Sequence, residues 1–305
     1  MRDAMKVNQV GIWLMAVRPK TLGAAWVPVI ATAALAFALG QPIEFWIVTC
    51  ALFASLFIQL ATNLFNDAID FKKGADDATR LGPTRVTQAG LISVGKVSGA
   101  ALCCSGIALG LGIPLVIQGG APILILGVVC LFLAYGYTGG PWPLAYLGLG
   151  DLFVFIFFGL AAVLGTFFLQ SGSLVFPVEI WTLGTQIGLW ATVLIAINNF
   201  RDSESDRRHK KMTLAARFGA TFSRVEITLL IFSPYVLGVL VWPTVGLTWA
   251  AYLPLLVLPL AAWIARDVWH LNPSERFNVL LARSGAVHLS SGLLLAAGFM
   301  IKALG

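Results

Sequence analysis

The chain has 305 residues, of which 58% are hydrophobic and 11% charged, with a mean hydropathy of +0.87. A soluble domain carries about 25% charged residues, and half that share cannot cover a soluble protein of this length. A soluble enzyme, a secreted disulfide scaffold, a disordered chain and a nucleic-acid binder are all poor fits; a single membrane unit over 1–305 is expected, and where the charges lie matters more than their net of +6.

In chain order, Arg2, Lys6, Arg18 and Lys20 precede a run without charge from Leu22 to Ile43. The run is too long for the apolar core of a signal peptide, about 7–15 residues, and reads as a first span. A transmembrane helix needs about 20 mostly apolar residues. Nine such segments follow one another, near 22–40, 45–62, 97–117, 121–137, 148–169, 178–199, 225–242, 246–265 and 285–303. Strand alternation is missing, so a β-barrel does not compete. Cys50, Cys103, Cys104 and Cys130 sit in apolar runs without CxxC spacing and read as packing residues.

Counted by alternate loops, every Lys and Arg but Lys302 falls on one side, with the densest groups after the second and sixth spans. By the positive-inside rule that side is cytoplasmic. The expected fold is therefore an all-α integral membrane bundle of nine helices, with the N-terminus and the polar loops on the cytoplasmic face and the C-terminus opposite.

Half of the 14 acidic residues lie in two short windows, one holding Asp67, Asp70, Asp76 and Asp77, the other Asp202, Glu204 and Asp206. Both follow an apolar helix. Asn63, Asn66, Asp67 and Asp70 fall on one helical stripe, as do Asn198, Asp202 and Asp206. Two rows of oxygen facing a shared space suit hard divalent cations, and magnesium favours carboxylates together with substrate phosphates. Zinc would want His or Cys, and His209, His270 and His288 form no cluster. Basic residues follow each stripe, completing a site for a diphosphate. At the mouth of an apolar bundle, that ligand is expected to be a lipid diphosphate.

At these two windows the sequence resembles the UbiA superfamily of intramembrane prenyltransferases. The motifs are Asn66-Asp67-Ala68-Ile69-Asp70 and Asp202-Ser203-Glu204-Ser205-Asp206. Longer stretches resemble the branch that prenylates 1,4-dihydroxy-2-naphthoate in menaquinone synthesis: RPKTL (18–22), NDAIDFKKGAD (66–76), RLGPTR (80–85), YTGGPWPLAYLGLGD (137–151) and NNFRDSESD (198–206). Two departures stand out. Gly74 replaces a third Asp, leaving Asp76 or Asp77 to serve, and Lys210 replaces a Gly after the second motif.

The resemblance implies transfer of a polyprenyl group from its diphosphate to dihydroxynaphthoate, with loss of the ring carboxylate, in a bacterial cytoplasmic membrane. It implies magnesium, two ions bridging the diphosphate, held by Asp67, Asp70, Asp76, Asp202 and Asp206 with Asn66 and Asn198. Lys73, Arg80, Arg85, Arg201 and Lys211 are the implied diphosphate contacts. Lys20 is either the partner of the acceptor carboxylate or an ordinary cytoplasmic anchor. Asp151 either orients or deprotonates the acceptor, or stabilises a helix N-terminus. Tyr137 lines the cation pocket or anchors the interface. Phe153, Phe157 and Phe158 are core or lipid-facing, or line the path of the tail. Phytyl transfer and other aromatic acceptors remain open. A secondary transporter is the rival from another class, but it needs a midplane site, and the acids gather at one surface.

Overall fold

The structure is a computed structural model that describes residues 8–74 and 81–304. It is helical, with no strand among the described residues. Helix α1 (Gln9–Val17) starts where the Asn8 side chain accepts from the Gly11 amide and ends at Arg18, whose φ of 53° is left-handed. A 3-10 turn (Pro19–Thr21) leads into α2 (Gly23–Ala38), and the two parts meet at a 48° bend. Pro19 explains the break, because proline disfavours a helical residue before it.

Then come α3 (Phe45–Lys72) and α4 (Val94–Gly136). Within α4, Gly120 has φ 63° and ψ −148°, so two helices meet there at a residue whose backbone only glycine adopts readily. Helix α5 (Gly150–Val154) passes through a π-helical turn (Phe155–Ala161) into α6 (Ala162–Ser171). Helices α7 (Val178–Arg208), α8 (Leu214–Val241), α9 (Thr248–Tyr252), α10 (Leu258–His270) and α11 (Phe277–Leu304) complete the chain.

Among the described residues seven helices are long and apolar enough to cross a membrane, or eight with the bent pair α1 and α2. The sequence reading of nine differs because it divides Val94–Gly136 in two, at the place where Gly120 breaks the helix.

Burial separates the helices by role. In α7, 78% of the most apolar stretch is buried, against 11% in α4. Helix α7 is thus the central post, and α4 presents residues such as Ile117 and Phe132 outward, as a helix apolar on all sides does in lipid. Trp190 on α7 and Trp242, just past the end of α8, are fully buried. The Trp242 indole donates to Gln186 Oε1 at 2.8 Å, and Gln186 Nε2 donates to the Pro234 carbonyl at 2.7 Å, so these two buried polar side chains are paired inside the apolar core.

The π-helical turn crosses α7 at close range. A Cβ built on Gly159 would lie 2.5 Å from the Gly184 carbonyl oxygen and from the Gly188 Cα. Small residues let two membrane helices touch backbone to backbone, and this contact sets α5 beside the polar end of α7. Gly159→Leu is expected to lose at least about 1–3 kcal/mol, the usual cost of overpacking. Thermal unfolding in detergent checks it, and an unchanged melting curve would refute the close crossing.

Candidate active site

Helix α3 stays helical through Lys72, so its polar stripe is real, but it divides into two rows. Asn63 and Asp67 hold neighbouring chain. Asn63 Nδ2 donates to the Val17 carbonyl at 2.9 Å and to Thr21 Oγ1 at 3.2 Å. The Asp67 carboxylate accepts from the amides of Val86 at 3.2 Å and Thr87 at 3.1 Å, and from the Thr87 hydroxyl. Asn66 and Asp70 belong to the other row and line a polar cavity. Asp70 Oδ2 accepts from Arg85 at 3.2 Å in a buried ion pair, and Oδ1 accepts from the Tyr146 hydroxyl at 3.1 Å.

On α7 the arrangement centres on Arg201, which is 1% exposed. Its guanidinium grips both Asp202 oxygens, at 2.8 and 2.6 Å, and donates to Asn198 Oδ1 and Asn278 Oδ1, each at 2.7 Å. Arg201, an implied diphosphate contact, is held by Asn198, Asp202 and Asn278 and is not among the residues that line the polar cavity. Asp206 pairs with Lys211 at 3.7 Å.

The connection 137–149 lies across both polar ends. Thr138 donates its hydroxyl to Asn66 Oδ1, and Lys73 donates to the Thr138 carbonyl at 2.7 Å. Partial burial draws the Lys73 ammonium below its ordinary pKa, against the raising effect of Asp70. Burial of the Tyr137 hydroxyl, reinforced by Asp151, Asp70 and Asp206, pushes its pKa above the ordinary value. It therefore remains a neutral phenol at physiological pH. Asp151 accepts from Asn199 Nδ2 at 3.2 Å through Oδ2, while its buried Oδ1 has no hydrogen-bond partner among the described residues, and Asp151 lines the same cavity.

Three cavities succeed one another. The polar one, about 50 Å³, is lined from α3 by Asn66 and Asp70, from α7 by Asn198 and Asn199, and by Arg85, Tyr137, Asp151 and Lys211. A mixed cavity of about 180 Å³ shares Arg18, Asn66, Arg85, Tyr137 and Asn198 with it. An apolar cavity of about 380 Å³ shares Ala24, Gln59 and Phe158 with the mixed one. The three cavities thus adjoin in order from charged oxygen to hydrocarbon, and the polar one is lined from both stripes.

The donors around the polar cavity are carboxylate and amide oxygens, which suit magnesium. Among the described residues no three His, Cys, Asp or Glu gather closely enough to hold an ion alone.

A model of the UbiA prenyltransferase family matches residues 25–299. The chain belongs to the UbiA prenyltransferase family. Among its relatives, the 1,4-dihydroxy-2-naphthoate octaprenyltransferase of Escherichia coli is 36% identical over 72% of each chain. That of Haemophilus influenzae is 30% identical over 99% of this chain and 100% of its own. UbiA prenyltransferase domain-containing protein 1 of Homo sapiens is 32% identical over 96% and 84%. Similar folds are the UbiA homolog of Aeropyrum pernix, with TM-score 0.68, 17% identity and 93% and 98% coverage, and that of Archaeoglobus fulgidus bound to DMAPP and Mg2+, with TM-score 0.57, 17% identity and 96% and 99% coverage.

Within this UbiA family member the predicted site residues separate. Asn66, Asp70, Arg85, Tyr137, Asp151, Asn198 and Lys211 surround the polar cavity. Asp67, Asp202, Asp206 and Lys73 stand behind or beside it in the contacts given above. Lys20 is exposed and lines none of the three cavities, whereas Arg18, two residues earlier, lines two. Asp76 and Arg80 lie outside the described residues. Phe157 and Phe158 line the apolar cavity. Sequence reasoning missed Arg18, Thr138, Tyr146, Asn199 and Asn278. Of these, all but Asn278 sit within the stretches that carry the family resemblance, and no periodicity marks any of them.

Proposed function

We propose that the chain transfers a polyprenyl group from polyprenyl diphosphate to 1,4-dihydroxy-2-naphthoate, releasing CO2 and diphosphate and giving demethylmenaquinol. The observation that carries this reading is the succession of adjoining cavities from the one lined by Asn66, Asp70 and Asn198 to the apolar one. It matches a ligand with an ionic head and a hydrocarbon tail, and relatives that span most of this chain bear that activity in their names.

In this reading Asp70, Asn66, Asn198 and the nearby Asp202 and Asp206 would hold magnesium, as two ions. Bound there, magnesium would neutralise the charge of the diphosphate leaving group. Arg85, Lys73 and Lys211 bind the remaining phosphate oxygens. The allylic C–O bond breaks with its electron pair going to diphosphate. Tyr137 and Phe158 offer aromatic faces to the allylic cation, worth about 0.5–2 kcal/mol each. A ring carbon of the acceptor forms the new C–C bond, and the carboxylate leaves as CO2, returning its bonding pair to the ring. Asp151, whose Oδ1 has no partner among the described residues, would face the acceptor hydroxyl, and Arg18, rather than Lys20, would meet its carboxylate.

The same reading gives nine spans. At about 1.5 Å per residue, the 43 residues of Val94–Gly136 are about twice as long as a bilayer core of about 30 Å is thick, so Gly120 marks a turn between two crossings. The N-terminus and the polar cavity then face the cytoplasm, and the protein, surrounded by lipid, sits in a bacterial inner membrane.

Purified protein given prenyl diphosphate, dihydroxynaphthoate and magnesium is expected to release diphosphate and CO2 in step with prenylated naphthoquinol. EDTA should stop turnover and added magnesium restore it. Activity that survives chelation would contradict the metal site. A lack of product with any of a panel of aromatic acceptors, while substrate crosses liposomes, would overturn the enzyme reading. Phytyl diphosphate in the same panel decides the donor.

A further inference from the structure

We propose that Tyr146 is a positioning residue that joins the two halves of the diphosphate-binding end, its hydroxyl setting Asp70 for metal and its ring gathering Lys73 and Lys211 for diphosphate. The inference rests on the prenyl-diphosphate reading above. Tyr146 belongs to neither carboxylate-bearing helix, yet it contacts the polar end of α3 and the loop that follows α7. Its hydroxyl donates to Asp70 Oδ1 at 3.1 Å, while Arg85 holds the other oxygen at 3.2 Å. Lys73 Nζ lies 4.4 Å from the ring centroid and Lys211 Nζ 5.8 Å. One lysine closes α3, and the other follows α7.

The segment that carries Tyr146 is itself tied down at both sides. The Met212 amide donates to the Tyr146 carbonyl at 3.1 Å, Arg217 Nη2 to the Leu147 carbonyl at 2.9 Å, and Lys73 to the Thr138 carbonyl at 2.7 Å. Two ammonium groups near one another repel. A shared aromatic face, whose quadrupole attracts cations, offsets that repulsion until an anion arrives. The hydroxyl acts differently. A hydrogen bond to a metal-ligating carboxylate fixes its orientation, and loss of such partners typically costs about 10–100-fold in metal affinity. The two parts of one side chain therefore have separable effects.

The test uses the full chain in lipid nanodiscs, with Mn2+ as a spectroscopic stand-in for magnesium and inorganic pyrophosphate as the anion. Electron paramagnetic resonance reads Mn2+ affinity, and calorimetry at saturating Mn2+ reads pyrophosphate affinity. Tyr146→Phe is expected to weaken Mn2+ about tenfold and leave pyrophosphate affinity close to that of the parent. Tyr146→Leu should weaken Mn2+ to the same degree and pyrophosphate by a further several-fold. Tyr146→Trp, with a ring but no phenol, should bind pyrophosphate like Tyr146→Phe. Tyr146→Met, also without a ring, replaces the Leu variant in the comparison if that variant does not fold. Unchanged Mn2+ affinity in Tyr146→Phe overturns the role of the hydroxyl. Equal pyrophosphate affinity in the Leu and Phe variants, or loss of it in Tyr146→Trp, overturns the role of the ring. If the parent binds neither probe, the diphosphate reading itself falls; if the parent binds both and the variants match it, only this inference does.

Discussion

Asp70→Asn is expected to lower kcat/KM by about a hundred- to a thousandfold, the range seen when one preorganised electrostatic partner of a transition state is removed. The protein should still insert and melt near the parent temperature. Asp70 lines the polar cavity from α3, and its charge is the one that Arg85 and Tyr146 hold in place. The neutral amide keeps the shape but not the charge that a divalent cation needs. Asp67→Ala supplies the contrast. It strips the amides of Val86 and Thr87 of a charged acceptor inside the protein, and hydrogen bonds to charged groups contribute about 1.5–3 kcal/mol each. Its expected signature is a lowered melting temperature, with activity lost in proportion to folded protein. Detergent melting curves and steady-state kinetics on both variants check the pair. Equal catalytic loss at equal stability would refute the division of the α3 stripe into two rows.

The second large effect is expected at Arg201. Arg201→Met leaves Asp202 buried without its bidentate partner and leaves Asn198 and Asn278 each without a donor. Breaking one side of a buried ion pair typically costs about 3–5 kcal/mol, enough to unfold a marginal membrane protein. Arg201→Lys should rescue little, because one ammonium cannot span the Asp202 fork and the two amides together. The measurement is folded yield and melting temperature in detergent. A stable Arg201→Met with weakened diphosphate binding alone would return Arg201 to the role that the sequence suggested.

The hydropathy of the chain was enough to place almost every long helix, because lipid demands long apolar runs whose ends are marked by charge. The carboxylate stripes were legible for the same kind of reason: spacing of three and four residues puts side chains on one face whatever the surroundings. What spacing does not tell is which of two adjacent rows meets the cavity. Asp67 and Asp70 look alike in sequence, and only the partner that each finds separates them. Lys20 and Arg18 are a second case, where a proline between them turns the chain and exposes the one nearer the span. Arg201 looked like a diphosphate ligand because a cation beside carboxylates has two outcomes, binding substrate or binding its neighbours, and burial decides between them. Tyr146 lies in a connection with no period at all, so its reach to both helices is a tertiary fact. The π-helical turn was equally silent, although Gly159, Gly184 and Gly188 provide the room for it.

The apolar cavity has a property that bears on how such a protein would sort its donors. Part of its wall, including Ile117, Leu124 and Val128, is also outer surface of the protein, between 50% and 80% exposed. A chamber walled in this way has no floor against which to measure a long chain. Surplus isoprene units would run out among the acyl chains, and moving between two oils costs almost nothing. Tail length in the finished quinol would then be decided upstream, by whatever diphosphates the cell makes.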